Sequence, residues 1–358
     1  MNFKTRFIIL LSVFFILFES YVFVTAGGLR PAPGFSAAWL ITQLALGGFL
    51  IMLMDEVVSK WGFGSGLSLF IAAGVSRSLM IRLLSPLSQT GVLAYPFGTA
   101  APVGAVWALL YSIVQQQIQD FVKELAAILS TLLVFAMAVY FMAMKVEIPL
   151  SFGRVRGYGM RWPLNFFYTS NIPVILIAAV IANLQLAGRL LYQKGITWLG
   201  TYSGATPTSG IMVYLTRVNI VQSLITGSFN FNMLIHALVY ISIFAFGSML
   251  FSIFWVQTSG QDSKSLARQI MASGLQIPGF RRDVRVLERL LDRYIMPLTV
   301  MGGFTVGVLA AIADLTGALT SGTGLLLAVM IVYQLYQEIA KQHAMDMHPL
   351  MKKFVENN

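Results

Sequence analysis

Eight stretches of this chain run almost without charge: residues 7–26, 37–54, 67–80, 125–144, 171–191, 233–256, 295–313 and 325–339. Crossing the hydrocarbon core of a bilayer takes about 20 residues of helix. Inside lipid every backbone N–H and C=O has to be satisfied within the protein, so a span is either a helix or a strand of a closed barrel. These runs are continuously apolar and lack the alternation of barrel strands, so they read as helices. The fold class that follows is an all-α polytopic membrane protein with about eight transmembrane helices.

Composition agrees. Hydrophobic residues make up 57% of the chain and charged residues only 11%, where a soluble domain would carry about 25%. There is no cysteine, which excludes disulfides, thiolate chemistry and cysteine metal sites. His236, His343 and His348 are scattered, and none stands at a metal-ligand spacing from acidic partners. No Ser–His–acid set, HExxH helix or pair of intramembrane carboxylates occurs. The expectation is a protein that is not an enzyme and takes no metal or cofactor.

Charge sets the expected orientation. The net charge is +10, and basic loops stay on the cytoplasmic side. With eight spans both termini share a side, and placing them in the cytoplasm puts most of the 24 lysines and arginines inside. The densest basic segments are then residues 145–170 and 257–293, which would attract anionic lipid, or ribosomal RNA where a ribosome docks. The expected location is the cell membrane, multi-pass.

The spans hold few ionisable groups. Glu19 reads as a side chain facing protein or the interface rather than a transport residue. Asp314, beside the last hairpin, is an ion site or a helix cap. The glycine-spaced link DEVVSKWGFGSG at 55–66 lacks the strand–turn–helix setting of a phosphate loop and reads as an entry to the next helix. Gly47 and Gly48 would permit close helix contact. A small-solute carrier would need polar groups near the membrane centre, and the chain supplies few.

Residues 153–185 are the most informative stretch. A basic loop with Arg154, Arg156 and Arg161 runs into an apolar helix with Pro173 near its start. Pro173 removes an amide and is expected to weaken the first turns. Asn171, Asn183 and Gln185 are costly in lipid, so they either bind neighbouring helices or line a seam that opens.

Four segments carry a resemblance: DEVVSKWGFGSGLSLFIAAGV (55–75), VEIPLSFGRVRGYGMRWPLNFFYTSNIPVIL (146–176), FWVQTSGQDSKS (254–265) and residues 317–336. They resemble archaeal-type SecY, the central subunit of the Sec protein-translocation channel, and the likeness keeps their order over nearly the whole chain. The resemblance implies a SecY-like inverted-repeat bundle that passes unfolded polypeptides and releases membrane helices sideways into lipid. It divides the chain into 1–144, the remainder of the N-terminal half, and 145–358, a basic cytoplasmic loop with the C-terminal half. The implied pore ring contains Leu67, Ile71, Ile175 and Leu327, and Asn183 matches a lateral-gate position. The implied docking residues are Arg154, Arg156, Arg161, Arg281 and Arg282. Implied partners are a SecE-like and a Sec-beta/SecG-like small subunit, the ribosome with its RNA, signal sequences, nascent polypeptides and lipid. The family has ten spans and residues 1–7 sit where its third begins. The expectation is therefore a bundle truncated at the N-terminus, without the first two helices and the plug. That follows from a truncated reading frame, a misassigned start or a shortened paralogue, and it raises the alternative of a non-conducting scaffold that binds a SecE-like subunit and a ribosome.

Overall fold

A run of 20 apolar residues pairs its own backbone as a helix, and the computed structural model follows that rule throughout. It describes residues 3–25, 27–29, 31, 34–62, 65–94, 100–152, 159–203, 206–272, 275–276 and 283–347. In chain order the elements are α1 (Phe3–Thr25), α2 (Ala37–Trp61), α3 (Gly66–Leu84), α4 (Ala105–Val114), α5 (Ile118–Ala143), β1 (Lys145–Phe152), β2 (Gly159–Asn165), α6 (Ile172–Gln193), β3 (Tyr202–Ser203), β4 (Thr206–Pro207), α7 (Ile211–Tyr214), α8 (Ile220–Ile225), α9 (Phe231–Thr258), α10 (Ser263–Ala272), β5 (Leu275–Gln276), α11 (Val284–Leu315) and α12 (Gly322–Met347).

Among the described residues, α2, α3, α5, α6, α9, α11 and the Gly322–Ala340 part of α12 are each long and apolar enough to cross a bilayer. The first expected span is helical too, with its described apolar part at Ile9–Thr25. The chain is a multi-pass membrane protein. Two details depart from the sequence reading. The link expected across 81–124 contains α4 and the first turns of α5. Pro173 stands in the first turn of α6, where an amide has no intrahelical acceptor to lose, so it starts the helix rather than weakening it.

The chain forms two compact units. In the first, Met1–Phe70 with Ile181–Thr216 and Leu335–Asn358, α1 packs on α2. Of the two glycines expected to allow this, Gly48 is the one that does: a Cβ there would lie 2.9 Å from Cγ2 of Ile16, while one at Gly47 would meet nothing within 4 Å.

The second unit, Ile71–Val180 with Arg217–Gln334, is built around α9 and α11. Only small residues let two helix backbones come this close. On α11, Gly303 and Gly307 stand four residues apart; Cβ atoms there would lie 2.6 Å from Cβ of Ser252 and 2.8 Å from Cβ of Ser248 on α9. Thr299, one turn before Gly303, accepts at its carbonyl a 2.9 Å hydrogen bond from Ser252 Oγ. Pro297 lies inside α11 and removes one amide from its hydrogen-bond ladder.

Candidate functional site

The end of the second unit that carries the basic segments is a small folded layer, which the sequence reading took for loops. Residues 145–152 alternate, with Val146 and Ile148 on one face, and so do Trp162 and Leu164. A two-residue period makes strands, and β1 and β2 pair antiparallel with Val146 opposite Leu164 and Ile148 opposite Trp162. That apolar face, with Ile148 1% and Leu164 4% exposed, closes over Ala267 and Ile270 of α10 and Leu287, Leu291 and Ile295 of α11. The two-residue alternation is the sequence signal for these strands, and the arginines beside it obscure it.

β5 adds to the other edge of β1, with Ser151 opposite Gln276 and Phe152 opposite Leu275. Neighbouring strands lie about 4.8 Å apart. β1 is the middle strand of the order β2–β1–β5 and β5 runs antiparallel to it, so the two strands end on neighbouring residues but point in opposite directions. Arg154 and Arg156 follow β1 in sequence, and Arg281 and Arg282 follow β5; all four lie outside the described residues. Arg161 is within β2, opposite Pro149.

Hydrogen bonds fasten this layer. Tyr168 Oη donates to the Gln261 carbonyl at 2.7 Å. Burial, with the nearby Asp262 charge, pushes the Tyr168 hydroxyl up to about 12. Asp262 caps α10: its Oδ2 accepts from Ser265 N at 3.2 Å. Hydrogen bonding from the Ser265 side chain holds its carboxyl below the ordinary carboxylate range. Ser263 Oγ donates to Asp292 Oδ1 at 3.0 Å, joining α10 to α11. Just before α6, the Thr169 and Ser252 hydroxyls share a buried 2.9 Å hydrogen bond.

The implied ring residues lie near the starts of their helices. Leu67 is the second residue of α3 and is 50% exposed. Its amide donates to Asp55 Oδ1 at 2.8 Å, so the end of α2 caps α3. Ile71, one turn on, and Ile175 in the first turn of α6 are half-buried, and Leu327 on α12 is buried. Leu67 belongs to the first unit and the other three to the second. Ile177 is 6% exposed, and its side chain fills the space where a Cβ on Gly247 of α9 would sit. Ile175 lies about 200° round the helix from it, off that contact.

The polar trio on and before α6 separates into three cases. Gln185 binds a neighbour: its Nε2 donates to the Leu215 carbonyl at 2.8 Å. Asn183 is exposed. Asn171 is buried, with Nδ2 unpartnered among the described residues, and its carbonyl accepts from Ile175 N.

Asp314, near the end of α11, is a cap across the hairpin. Oδ1 accepts from Thr323 N at 3.0 Å in the first turn of α12. Oδ2 accepts from Tyr240 Oη of α9 at 2.9 Å and from Thr323 Oγ1. Sequence reasoning named Asp314 as an ion site or a cap, and the geometry is that of the cap. A polar cavity of about 160 Å³ nearby is lined by Arg82, Glu124, Asn219, Gln222 and Thr316. Among the described residues no three His, Asp or Glu side chains converge as metal ligands would.

The chain matches the family described as SecY over residues 3–336. The protein translocase subunit SecY of Methanothermobacter thermautotrophicus is 42% identical over 352 residues, covering 97% of this chain and 74% of the relative. Its counterpart in Methanocaldococcus jannaschii is 40% identical over 346 residues, covering 97% and 74%. Among solved structures, one described as a protein conducting channel superposes with TM-score 0.78 at 40% identity, covering 95% of this chain and 73% of that one. Sec61 in the canine ribosome–channel complex gives TM-score 0.74 at 39% identity, covering 95% and 73%.

Proposed function

The chain belongs to the SecY family, and from that premise we propose that it is the central, pore-forming subunit of a Sec translocon. It passes unfolded polypeptides across the membrane and releases membrane helices laterally into lipid. The observation that carries this reading is the family match, which runs over nearly the whole chain rather than over one motif.

In this reading Leu67, Ile71, Ile175 and Leu327 contribute the apolar constriction. Side chains without hydrogen-bonding groups give ions nothing to replace their water with. Asn183 lies on the lateral gate, where an exposed amide finds a partner on an entering signal sequence or in water. Arg154, Arg156, Arg161, Arg281 and Arg282 dock a cytoplasmic partner, a ribosome with its RNA phosphates, by charge. The basic layer faces the cytoplasm, which puts both termini there as well. Residues 1–144 and 145–358 belong to the two family halves, and a SecE-like and a Sec-beta/SecG-like helix clamp them from the lipid side. The exposed apolar faces of α1 and α2 suit lipid and such helices.

The test is photocrosslinking. Probes at Ile71 and Ile175 should react with a stalled polypeptide crossing the membrane. Probes that never reach that polypeptide at either site, while probes on the basic loops still contact ribosomes, would remove the channel role.

A further inference from the structure

We propose that Asp314 is a positioning residue for the constriction, holding the first turn of α12 so that Leu327 stays buried. This rests on the reading of Leu327 as a ring residue and adds the group that keeps it there. Asp314 is 7% exposed and Tyr240 is 4% exposed. Its carboxylate takes three donors from two other helices: the Tyr240 hydroxyl on α9, and the amide and hydroxyl of Thr323 on α12. A side chain with two acceptor oxygens suits that place, because the N-terminus of a helix offers free amides.

The rest of the hairpin is held by other groups. Leu319 N donates to Thr131 Oγ1 at 3.0 Å, and Ser130 Oγ donates to the Thr316 carbonyl at 3.0 Å. Both acceptor and donor side chains belong to α5, so residues 316–319 are fixed without Asp314. Asp314 instead ties the first helical turn of α12 to α9 and α11. Leu327 follows Thr323 by four residues, one turn further along the same face of α12. A loosened Thr323 therefore shifts Leu327 directly. Asp314→Asn keeps the size of the side chain but replaces one acceptor with a donor. The two hydroxyls at Oδ2 then have to turn or part.

The chain has no cysteine, so single reporters are clean. In full-length protein in lipid nanodiscs, Leu327→Cys and Ile175→Cys are labelled with a water-soluble maleimide, with and without Asp314→Asn. The expected result is a several-fold faster reaction at Leu327→Cys and no change at Ile175→Cys. An unchanged rate at Leu327→Cys overturns the proposal, and so does an equal rise at both sites, which would be general loosening. Tyr240→Phe removes a single donor and serves for the same comparison where Asp314→Asn does not fold. A separate arm carries a photoprobe at Leu327: a probe that never meets a stalled translocating polypeptide removes the ring reading, whatever the labelling shows.

Discussion

At position 307 one hydrogen stands where any other residue would carry a carbon. A Cβ on Gly307 would come within 2.8 Å of Ser248 Cβ, closer than two carbons pack. Overfilling such a contact costs about 1–3 kcal/mol, so Gly307→Val is expected to lower the thermal midpoint of the detergent-solubilised protein. Gly47→Ala is the matched control: nothing lies within 4 Å of its Cβ position, and its midpoint should hold. The contrast was not readable from composition, because both are glycines in apolar runs. What separates them is the spacing: Thr299, Gly303 and Gly307 recur every four residues, and so do Ser248 and Ser252 opposite. Asp314 makes a similar point. Its residue type said cap or ion site; only the fold supplied Thr323 and Tyr240.

Among the elements, the β1–β2–β5 sheet is the part that departs furthest from the reading of the sequence. Helical spans are legible because length without charge is enough to specify them. The sheet is short, its alternation carries Pro149 and Pro163, residues that count against a strand, and arginines stand beside it. Its anchor to α6 and α9 includes the Tyr168–Gln261 hydrogen bond, which carries a pH signature. The Tyr168 hydroxyl is raised in the fold from the ordinary 10.0 to about 12, so the folded state favours the protonated form. That contribution is complete below pH 10 and is lost as pH rises from about 10 to about 12. Tyr168→Phe should cost about 1 kcal/mol near neutral pH from the lost hydrogen bond. In the alkaline range it should lose stability less steeply than the parent, as read by denaturant unfolding at pH 9 and pH 12. Two parallel curves would contradict the buried hydroxyl. Caps are the other recurring device. Asp55 closes the start of α3 at Leu67, and Asp314 closes the start of α12 one turn before Leu327. In each case the acid comes from the helix before.

For the whole molecule, the sequence made the membrane class, the helix order and the family resemblance legible, since each depends on long-range pattern. It could not say which polar side chains meet. Asn183 and Gln185 are two residues apart on α6, yet one is exposed and the other holds the Leu215 carbonyl; their difference lies in residues 30 positions away in the chain. The docking proposal is tested at this scale. Arg281→Glu should weaken ribosome binding, most at low salt, and leave the thermal midpoint of the membrane part unchanged, because a single charge outside the spans contributes little to stability. Unimpaired binding in a sedimentation assay would exclude Arg281 from docking. The pairing of Ser151 with Gln276 then has a consequence for affinity. In the docking proposal, the arginines that follow β1 and those that follow β5 in sequence are linked through paired strands, which makes them a divalent ligand with a short tether. Once one segment touches a polyanion, the other meets it at a local concentration on the order of millimolar. On that proposal, two contacts too weak to hold a partner separately can hold it jointly.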